Sequence, residues 1–249
     1  MGIGNHIVGL TYGMEKDQSA GRQHPLGTVG VTDDGRWFRY AQAGEAIGAG
    51  QMTMQAVSIP NHDMDLTTTA AAVGAVTVTV TLGATLATAS QYADGYLYTN
   101  DDGGEGHVYK IKSHPAAAAS GSLTLTFYPD DGVKEAISGT PLSGLMVNPY
   151  KGVEIYDAND VDGPPLGVAQ REVTTSYYFW AQTQGYGVLL CDASVFILGN
   201  MIRAADTDDG AGERQDRDEA SANMPQYGVG ALIAPVDTDY GVVYLQIGP

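Results

Sequence analysis

Short apolar runs separated by glycine and aspartate dominate the hydrophobic pattern of this chain. Residues 76–82 alternate valine or leucine with threonine over seven positions, which predicts a half-buried strand with its apolar side chains inward. Residues 123–128 and 242–247 also predict strands. The best helical candidate, residues 212–222, has no apolar stripe and indicates a solvated surface turn. We therefore predict a nearly all-β protein.

The strongest β signal lies in the C-terminal third of the chain. Residues 178–183 form an aromatic-rich run, and the Gly-Tyr-Gly segment at 185–187 predicts a turn before the next run at 188–191. Short β runs divided by glycine and aspartate turns are typical of compact barrels or sandwiches. The remaining runs of this region cover residues 195–198, 229–233 and 242–247.

The order of the runs indicates two β domains preceded by an arm. We predict an extended N-terminal arm at residues 1–25. A β-barrel or sandwich base domain follows at residues 26–72 and 150–249, and a small antiparallel β domain at residues 73–149 is inserted into it. A weak internal echo between the first and last blocks leaves a duplication open as an alternative. The predicted fold class is all-β, with one β domain inserted into another.

The predicted arm carries more apolar side chains than a frayed terminus requires. They stand in a glycine-rich segment without a helical period. We therefore expect them to become ordered against a partner, with a frayed terminus as the alternative. The candidate partner-binding residues are Ile3, Ile7, Val8, Leu10 and Tyr12.

The charge balance argues against polyanionic partners. The 249-residue chain has 29 acidic and 12 basic residues and a net charge of −17 at pH 7, and its basic residues form no cluster. Nucleic-acid binding needs lysine and arginine gathered on one face, and an anionic membrane repels a surface of this charge. We expect neither nucleic acid nor a membrane as a partner.

The single cysteine and the first residues of the chain indicate in which cellular compartment the protein is made. Cys191 is the only cysteine, so no internal disulfide can form, and its apolar surroundings predict an ordinary buried thiol rather than a reactive nucleophile. The first residues have neither a basic nor an apolar signal region. No segment approaches the roughly 20 apolar residues of a membrane span. We expect a soluble protein made in a cytoplasm.

No arrangement of side chains in the sequence predicts catalysis or a cofactor. The five histidines have no metal-ligand spacing, and no phosphate-binding glycine pattern or serine elbow is present. The acidic turns at 206–210, 157–163 and 100–103 lack the order of a calcium loop, so we expect solvated turns, with a surface Ca²⁺ or Na⁺ as the alternative. Trp37 and Trp180 lie in strand runs, which favours core packing over a sugar platform. We predict no enzymatic activity, no cofactor and no metal.

Several blocks of the sequence resemble one family of virion proteins. The blocks are WFRYAQAG at 37–44, QYADGY at 91–96, LGV at 166–168, FWAQTQG at 179–185, GVGAL at 228–232 and DYGVVYL at 239–245. In these blocks the chain resembles capsid decoration (cement) proteins of tailed bacteriophages of the marine and environmental type. The resemblance covers most of residues 26–249.

The resemblance implies a function and its partners. Proteins of this family lie on the outer capsid, commonly as trimers, and clamp neighbouring major capsid subunits. It therefore implies a homotrimer that binds a major capsid protein and is located in the virion after assembly in a host cytoplasm. The inserted unit at 73–149 departs from a minimal decoration protein.

Two other functions stay open at this point. A head-fibre, tail-fibre or receptor-binding adhesion protein predicts exposed aromatic residues and glycan affinity in the inserted unit. A polysaccharide-degrading enzyme predicts long β-helical repeats, and the sequence has no fixed period.

Overall fold

The computed structural model describes residues 7–158, 163–192, 196–215, 227–229 and 239–248. Among these residues the protein is nearly all β, with no α-helix and two single-turn 3-10 helices, Met14–Lys16 and Pro129–Asp131. The predicted all-β class is confirmed. In chain order the strands are β1 (Ile7–Leu10), β2 (Gln18–Ser19), β3 (Val29–Thr32), β4 (Trp37–Ala43), β5 (Met52–Met54), β6 (Leu66–Thr67), β7 (Thr77–Thr81), β8 (Tyr96–Gly103), β9 (Val108–Ser113), β10 (Ser122–Phe127), β11 (Ser138–Met146), β12 (Lys151–Ile155), β13 (Pro165–Ala169), β14 (Tyr178–Leu190), β15 (Met201–Ala204), β16 (Gly212–Arg214), β17 (Gly228–Val229) and β18 (Tyr240–Gln246).

The chain divides into two compact units. The base unit consists of Met1–Ala56 and Tyr150–Pro249, and the inserted unit consists of Val57–Pro149. The inserted unit begins earlier than residue 73, where the sequence placed it, because β6 (Leu66–Thr67) pairs with β11 of the same unit. The segment before residue 73 is therefore a strand of the inserted unit rather than the end of the base domain.

A small closed barrel lies at the centre of the base unit. Its ring of pairings runs β4–β12–β5–β13–β14 and returns to β4. The β4–β12 pair is parallel and the other four pairs are antiparallel. A closed ring leaves none of these strands with an open edge over the paired stretch. In β4 burial alternates over the first residues, whereas residues 179–183 of β14 are all buried, so this strand is covered on both faces within the barrel.

Strand β14 is longer than the sequence indicated. We predicted two strands with a turn at 185–187, but Tyr178–Leu190 is one strand of 13 residues. Gly185 has a φ of +91°, and the pairing of β14 with β4 shifts register between Gln182 and Gln184. The bulge in β14 therefore falls at Thr183, two residues before the left-handed Gly185, and the strand bends here rather than reversing. The first half of β14 belongs to the barrel, and the second half pairs with β18.

The first described residues, from Ile7 onward, form a strand of the base unit's sheet. β1 pairs in parallel with β3, and Leu10 is buried in a cluster with Phe38, Tyr40 and Trp180. Gly30 leaves room for Leu10, because a Cβ there would come within 2.7 Å of the leucine Cδ1 atom. The prediction of an extended arm is therefore wrong over residues 7–25, where this strand, a 3-10 helix and β2 are ordered.

Other strand and turn predictions have mixed outcomes. Residues 196–198 are not a strand, and Gly212–Arg214 is a strand rather than the predicted surface turn. The turn prediction for residues 216–222 and the strand prediction for residues 230–233 lie outside the described residues. Cys191 is fully buried in an apolar cluster, as predicted.

The inserted unit is a second, nearly closed barrel. Its six antiparallel strands follow the order β6-β11-β8-β9-β10-β7, and a bridge between Thr68 and Val80 brings the two end strands together. In β7 the valines are buried while Thr77 and Thr81 are exposed, as the alternation predicted. Its buried apolar side chains are Leu66, Val78, Val80, Leu82, Ala87, Tyr92, Leu97, Tyr109, Ile111, Leu123, Leu125, Phe127, Val133, Ile137 and Leu145.

Candidate functional site

A row of apolar side chains covers the outer face of β14 and β18. Successive side chains of a strand point to opposite faces of the sheet. The apolar side chains of this row therefore face solvent, and the residues that alternate with them point inward. Tyr186 is 57% exposed, Tyr240 is 50% exposed and Val188 is 40% exposed. The three cross-strand pairs, which we call the aromatic ladder, are Tyr186–Tyr244, Val188–Val242 and Leu190–Tyr240. An exposed apolar row of this kind is a candidate surface for contact with another molecule.

An open pocket of 560 Å³, which we call the ladder pocket, lies beside the aromatic ladder. Two cations, Lys16 and Arg36, line it together with Gln170 and the ladder residues Tyr186 and Tyr240. None of the described residues that line this pocket is acidic, although the whole chain carries a net charge of −17. The described lining of this pocket is therefore aromatic and contains two cations but no carboxylate.

The two cations of the ladder pocket differ in their ion pairs. Arg36 contacts Glu15 at 3.4 Å and Asp34 at 2.9 Å. The Thr32 hydroxyl donates to Asp34, and together with the Arg36 guanidinium it holds the pKa of that carboxyl below its ordinary value. Lys16 forms no ion pair with any residue that the structure describes and is exposed. Lys16 is thus the cation that an incoming anion would meet first.

The edge of β14 that faces the ladder pocket is capped by two glutamine side chains and by the Gly50 carbonyl rather than by a strand. The Val188 N–H donates to Gln170 Oε1 at 3.2 Å, and the Val188 carbonyl accepts from Gln170 Nε2 at 3.3 Å. The Tyr186 carbonyl accepts from Gln182 Nε2 at 2.9 Å, and the Leu190 N–H donates to the Gly50 carbonyl at 2.8 Å. Between Tyr186 and Leu190, no described strand pairs with this edge.

A second pocket, of 290 Å³, is lined by aromatic rings. The ring centroids of Tyr40 and Trp180 are 4.9 Å apart, and the His24 ring lies 5.1 Å from Tyr40 and 5.3 Å from Trp180. Tyr178 stacks on Tyr40 with an interplanar angle of 10°. The polar residues around these rings are Asp17, Gln18, Ser19 and Gln23. Trp180 is a core residue, as predicted, since it is only 5% exposed.

One group of carboxylates has the spacing of a metal site. Oxygen atoms of Asp192, Asp206 and Glu213 lie within 4.8 Å of one another. The buried Arg203 contacts Glu213 at 2.5 Å and Asp206 at 3.0 Å, while the Thr207 hydroxyl donates to Asp192 at 2.7 Å. Arg203 already supplies positive charge to two of the three carboxylates. We therefore assign Arg203 and these two carboxylates a structural role.

The predicted partner-binding residues separate into exposed and buried positions. Ile3 lies outside the described residues. Ile7 is 52% exposed and Tyr12 is 65% exposed, whereas Val8 is half-buried. Leu10 is buried in the base unit and has no surface to offer a partner. Of the predicted set, Ile7 and Tyr12 thus expose most of their side chains.

The exposed aromatic residues lie elsewhere than an adhesion function of the inserted unit would predict. Among the described residues, the exposed aromatic side chains are Tyr12, Tyr186 and Tyr240, and all three belong to the base unit. The sequence showed the strands that carry the aromatic ladder but not the ladder itself. Recognising it requires the register that places Tyr186 beside Tyr244.

No protein-family model, curated protein or solved structure matches this chain. In the described part of the chain, the structure contains no helix with the length and apolar character needed to cross a bilayer.

Proposed function

We propose that this protein is a non-enzymatic structural protein of a virion. In this proposal it is a decoration (cement) protein that binds and stabilises the outer surface of a tailed-phage head. The observation that carries the proposal is the aromatic ladder, an exposed apolar face on the paired strands β14 and β18. Together with the sequence resemblance, it supports a protein whose role is to bind other proteins.

The physical chemistry of the ladder suits a protein interface. Burying a large apolar side chain contributes about 1.5–3 kcal/mol, and tyrosine is enriched at interface hot spots because it buries much area at a small entropy cost. The pairing of β14 with β18 holds the ladder backbone in place before binding, which lowers the ordering cost of association. The net charge of −17 suits the outside of a capsid, away from packaged polyanionic DNA.

The proposed partners are a major capsid protein and further copies of this chain. The family resemblance supports a homotrimer. The apolar ladder supplies a surface that either contact could bury, since homo-oligomer interfaces are more apolar than the average protein surface.

Quantitative mass spectrometry of purified virions tests the assignment directly. We expect hundreds of copies per particle, in a fixed ratio to the major capsid protein. A handful of copies per particle would instead indicate a fibre or tail component, and absence from the particle would overturn a virion role.

A charge placed in the ladder tests the proposed surface. Val188→Asp introduces a carboxylate into the apolar row, and Val108→Asp introduces the same change at a 57% exposed strand position of the inserted unit. We expect Val188→Asp to reduce capsid binding at least about tenfold, which corresponds to about 1.4 kcal/mol, while Val108→Asp binds as wild type. Equal binding by both variants would show that the ladder is not the contact surface.

A glycan-binding adhesion protein is the second candidate. The observation that favours it is the 290 Å³ aromatic pocket, whose amide, hydroxyl and carboxylate side chains are groups that hydrogen-bond sugar hydroxyls. A glycan array probed with the full chain tests this candidate. Binding that is lost in Tyr178→Ala but kept in Tyr186→Ala would favour adhesion over decoration.

A further inference from the structure

We propose that the ladder-pocket edge of β14 binds an extended, acidic peptide segment of a partner protein as an added β-strand. The inference deepens the proposed function, because it names how the surface beside the aromatic ladder contacts its partner. It rests on that function only for the identity of the partner, since the peptide-binding chemistry is independent of whether the partner is a capsid.

The first argument is the chemistry of the edge. Backbone N–H and C=O groups at a sheet edge are a template for an incoming strand. On one side, Val188 lies opposite Val242 of β18. On the other side its N–H and its carbonyl both meet one side chain, the amide of Gln170. The glutamine amide thus occupies the place that a peptide group of a further strand would take.

The second argument is that this cap is weakly held. Its two hydrogen bonds, at 3.2 and 3.3 Å, are longer than the usual 2.9–3.0 Å of N–H···O bonds. Gln170 is half-buried, so its side chain can rotate into solvent when another strand takes its place. A peptide that displaces it supplies main-chain bonds at Val188 without leaving either backbone group unpaired.

The third argument is the space and charge beside the edge. The 560 Å³ ladder pocket runs along Gln170 and Val188, and this volume is within the usual range for ligand pockets. Lys16 and Arg36 are its charged residues, and the described lining contains no carboxylate. Acidic side chains on the added strand would pair with Lys16, while alternate apolar side chains would pack on Tyr186 and Tyr240. Charge complementarity therefore selects an acidic partner segment.

A display library of random short peptides, selected on the full-length protein, tests the proposal. We expect the enriched peptides to be rich in aspartate and glutamate and poor in proline. Lys16→Glu should weaken their binding at least about tenfold. The matched control is Lys112→Glu, which makes the same charge change at an exposed position of β9 in the inserted unit and should leave binding unchanged.

Two further changes separate strand addition from simple charge attraction. Gln170→Ala removes the cap, so the selected peptides should bind at least about threefold more tightly, since nothing need be displaced. Methylation of alternate backbone nitrogens in the peptide removes its N–H donors and should abolish binding while its charge is unchanged. Circular dichroism spectra matching wild type establish that each protein variant is folded.

Several results would overturn the proposal. They are no enrichment of acidic peptides, wild-type binding by Lys16→Glu, and undiminished binding of the N-methylated peptide. A dimer that forms through this edge and is strengthened by Gln170→Ala would replace the acidic peptide with a second copy of the chain. A low copy number in virions would overturn the cement assignment and leave peptide binding intact, so the two failures are distinguishable.

Discussion

Arg203 is the buried charge on which β15 and β16 depend. It is 1% exposed and contacts the carboxylates of Glu213 and Asp206. We expect Arg203→Met to lower the free energy of unfolding by about 3–5 kcal/mol, because removing one partner leaves the buried Glu213 carboxylate without its counter-charge. Urea unfolding measures the change. The exposed Arg22→Met is the control and should stay within about 0.5 kcal/mol of wild type; a loss below about 1 kcal/mol for Arg203→Met would contradict the structural role.

Tyr92 makes the stability of the protein sensitive to alkali. Its phenol is buried and donates to His62 Nδ1 at 2.5 Å, while His62 Nε2 donates to the Thr85 carbonyl at 2.8 Å. Burial, and then the nearby Asp63 charge, raises the pKa of Tyr92 above its ordinary value of 10.0. The folded protein therefore holds this proton more tightly than the unfolded chain does. The stabilisation is complete below pH 10 and is lost progressively as the pH rises from 10 towards the raised pKa of the folded state.

The Tyr92→Phe variant separates this effect from the other tyrosines. We expect it to lose about 1 kcal/mol at neutral pH, because one hydrogen bond disappears, and then to lose less stability than wild type as the pH is raised past 10. Urea unfolding over a pH series measures both quantities. Tyr12→Phe, at an exposed position, is the matched control. An alkaline slope unchanged in Tyr92→Phe would contradict this assignment.

At the scale of elements, Gly185 lies where β14 changes its partner from β4 to β18 within one sheet. Its φ of +91° lies in the left-handed region, and a Cβ there would approach Arg36 Cγ at 3.0 Å and Arg36 Cα at 3.2 Å. We expect Gly185→Ala to cost about 1–2 kcal/mol, measured by thermal or urea unfolding. Gly9→Ala is the control, since a Cβ at Gly9 meets nothing within 4 Å. Equal stability of the two variants would show that β14 does not require the left-handed backbone conformation at residue 185.

Strand β1 carries one buried and one exposed apolar residue, so their structural and binding roles can be tested separately. Leu10 is buried among aromatic core residues, whereas Ile7 is 52% exposed on the same strand. We expect Leu10→Ala to cost about 2–5 kcal/mol in unfolding free energy, and Ile7→Ala to leave stability within about 0.5 kcal/mol of wild type. If the first residues contact a capsid, as the sequence predicts, Ile7→Ala should still weaken decoration. A stable Leu10→Ala variant would restore the prediction of a free arm.

Local patterns predicted the elements that depend on neighbouring residues alone. The valine–threonine alternation of β7 fixes its buried face within one strand, and the structure agrees. Near Gly185 the local sequence suits a turn or a bulge equally well, and the pairing of β14 with β4 and β18 decides between them. The parallel pairing of β1 with β3 is likewise a tertiary contact that no local period indicates.

At the scale of the whole molecule, composition predicted the class but not the sites. The many glycine turns and short apolar runs were enough to predict an all-β protein with an inserted β domain. The aromatic ladder and its pocket could not be predicted, because they require residues from segments far apart in the chain, such as Lys16, Gln170 and Tyr240. Arg203 and Glu213 were missed for the same reason, since only the antiparallel pairing of β15 with β16 places them opposite each other.

The inserted unit should fold when it is expressed alone as residues 57–149. It has its own cluster of fifteen buried apolar side chains, and its six strands nearly close into a barrel. Domains of this size bury enough apolar surface to fold independently. We expect a β-type circular dichroism spectrum, dispersed amide resonances and one cooperative urea transition. Leu125→Asp, which places a charge in the centre of this core, should abolish all three, and a disordered spectrum from the unaltered fragment would show that its barrel depends on the base unit.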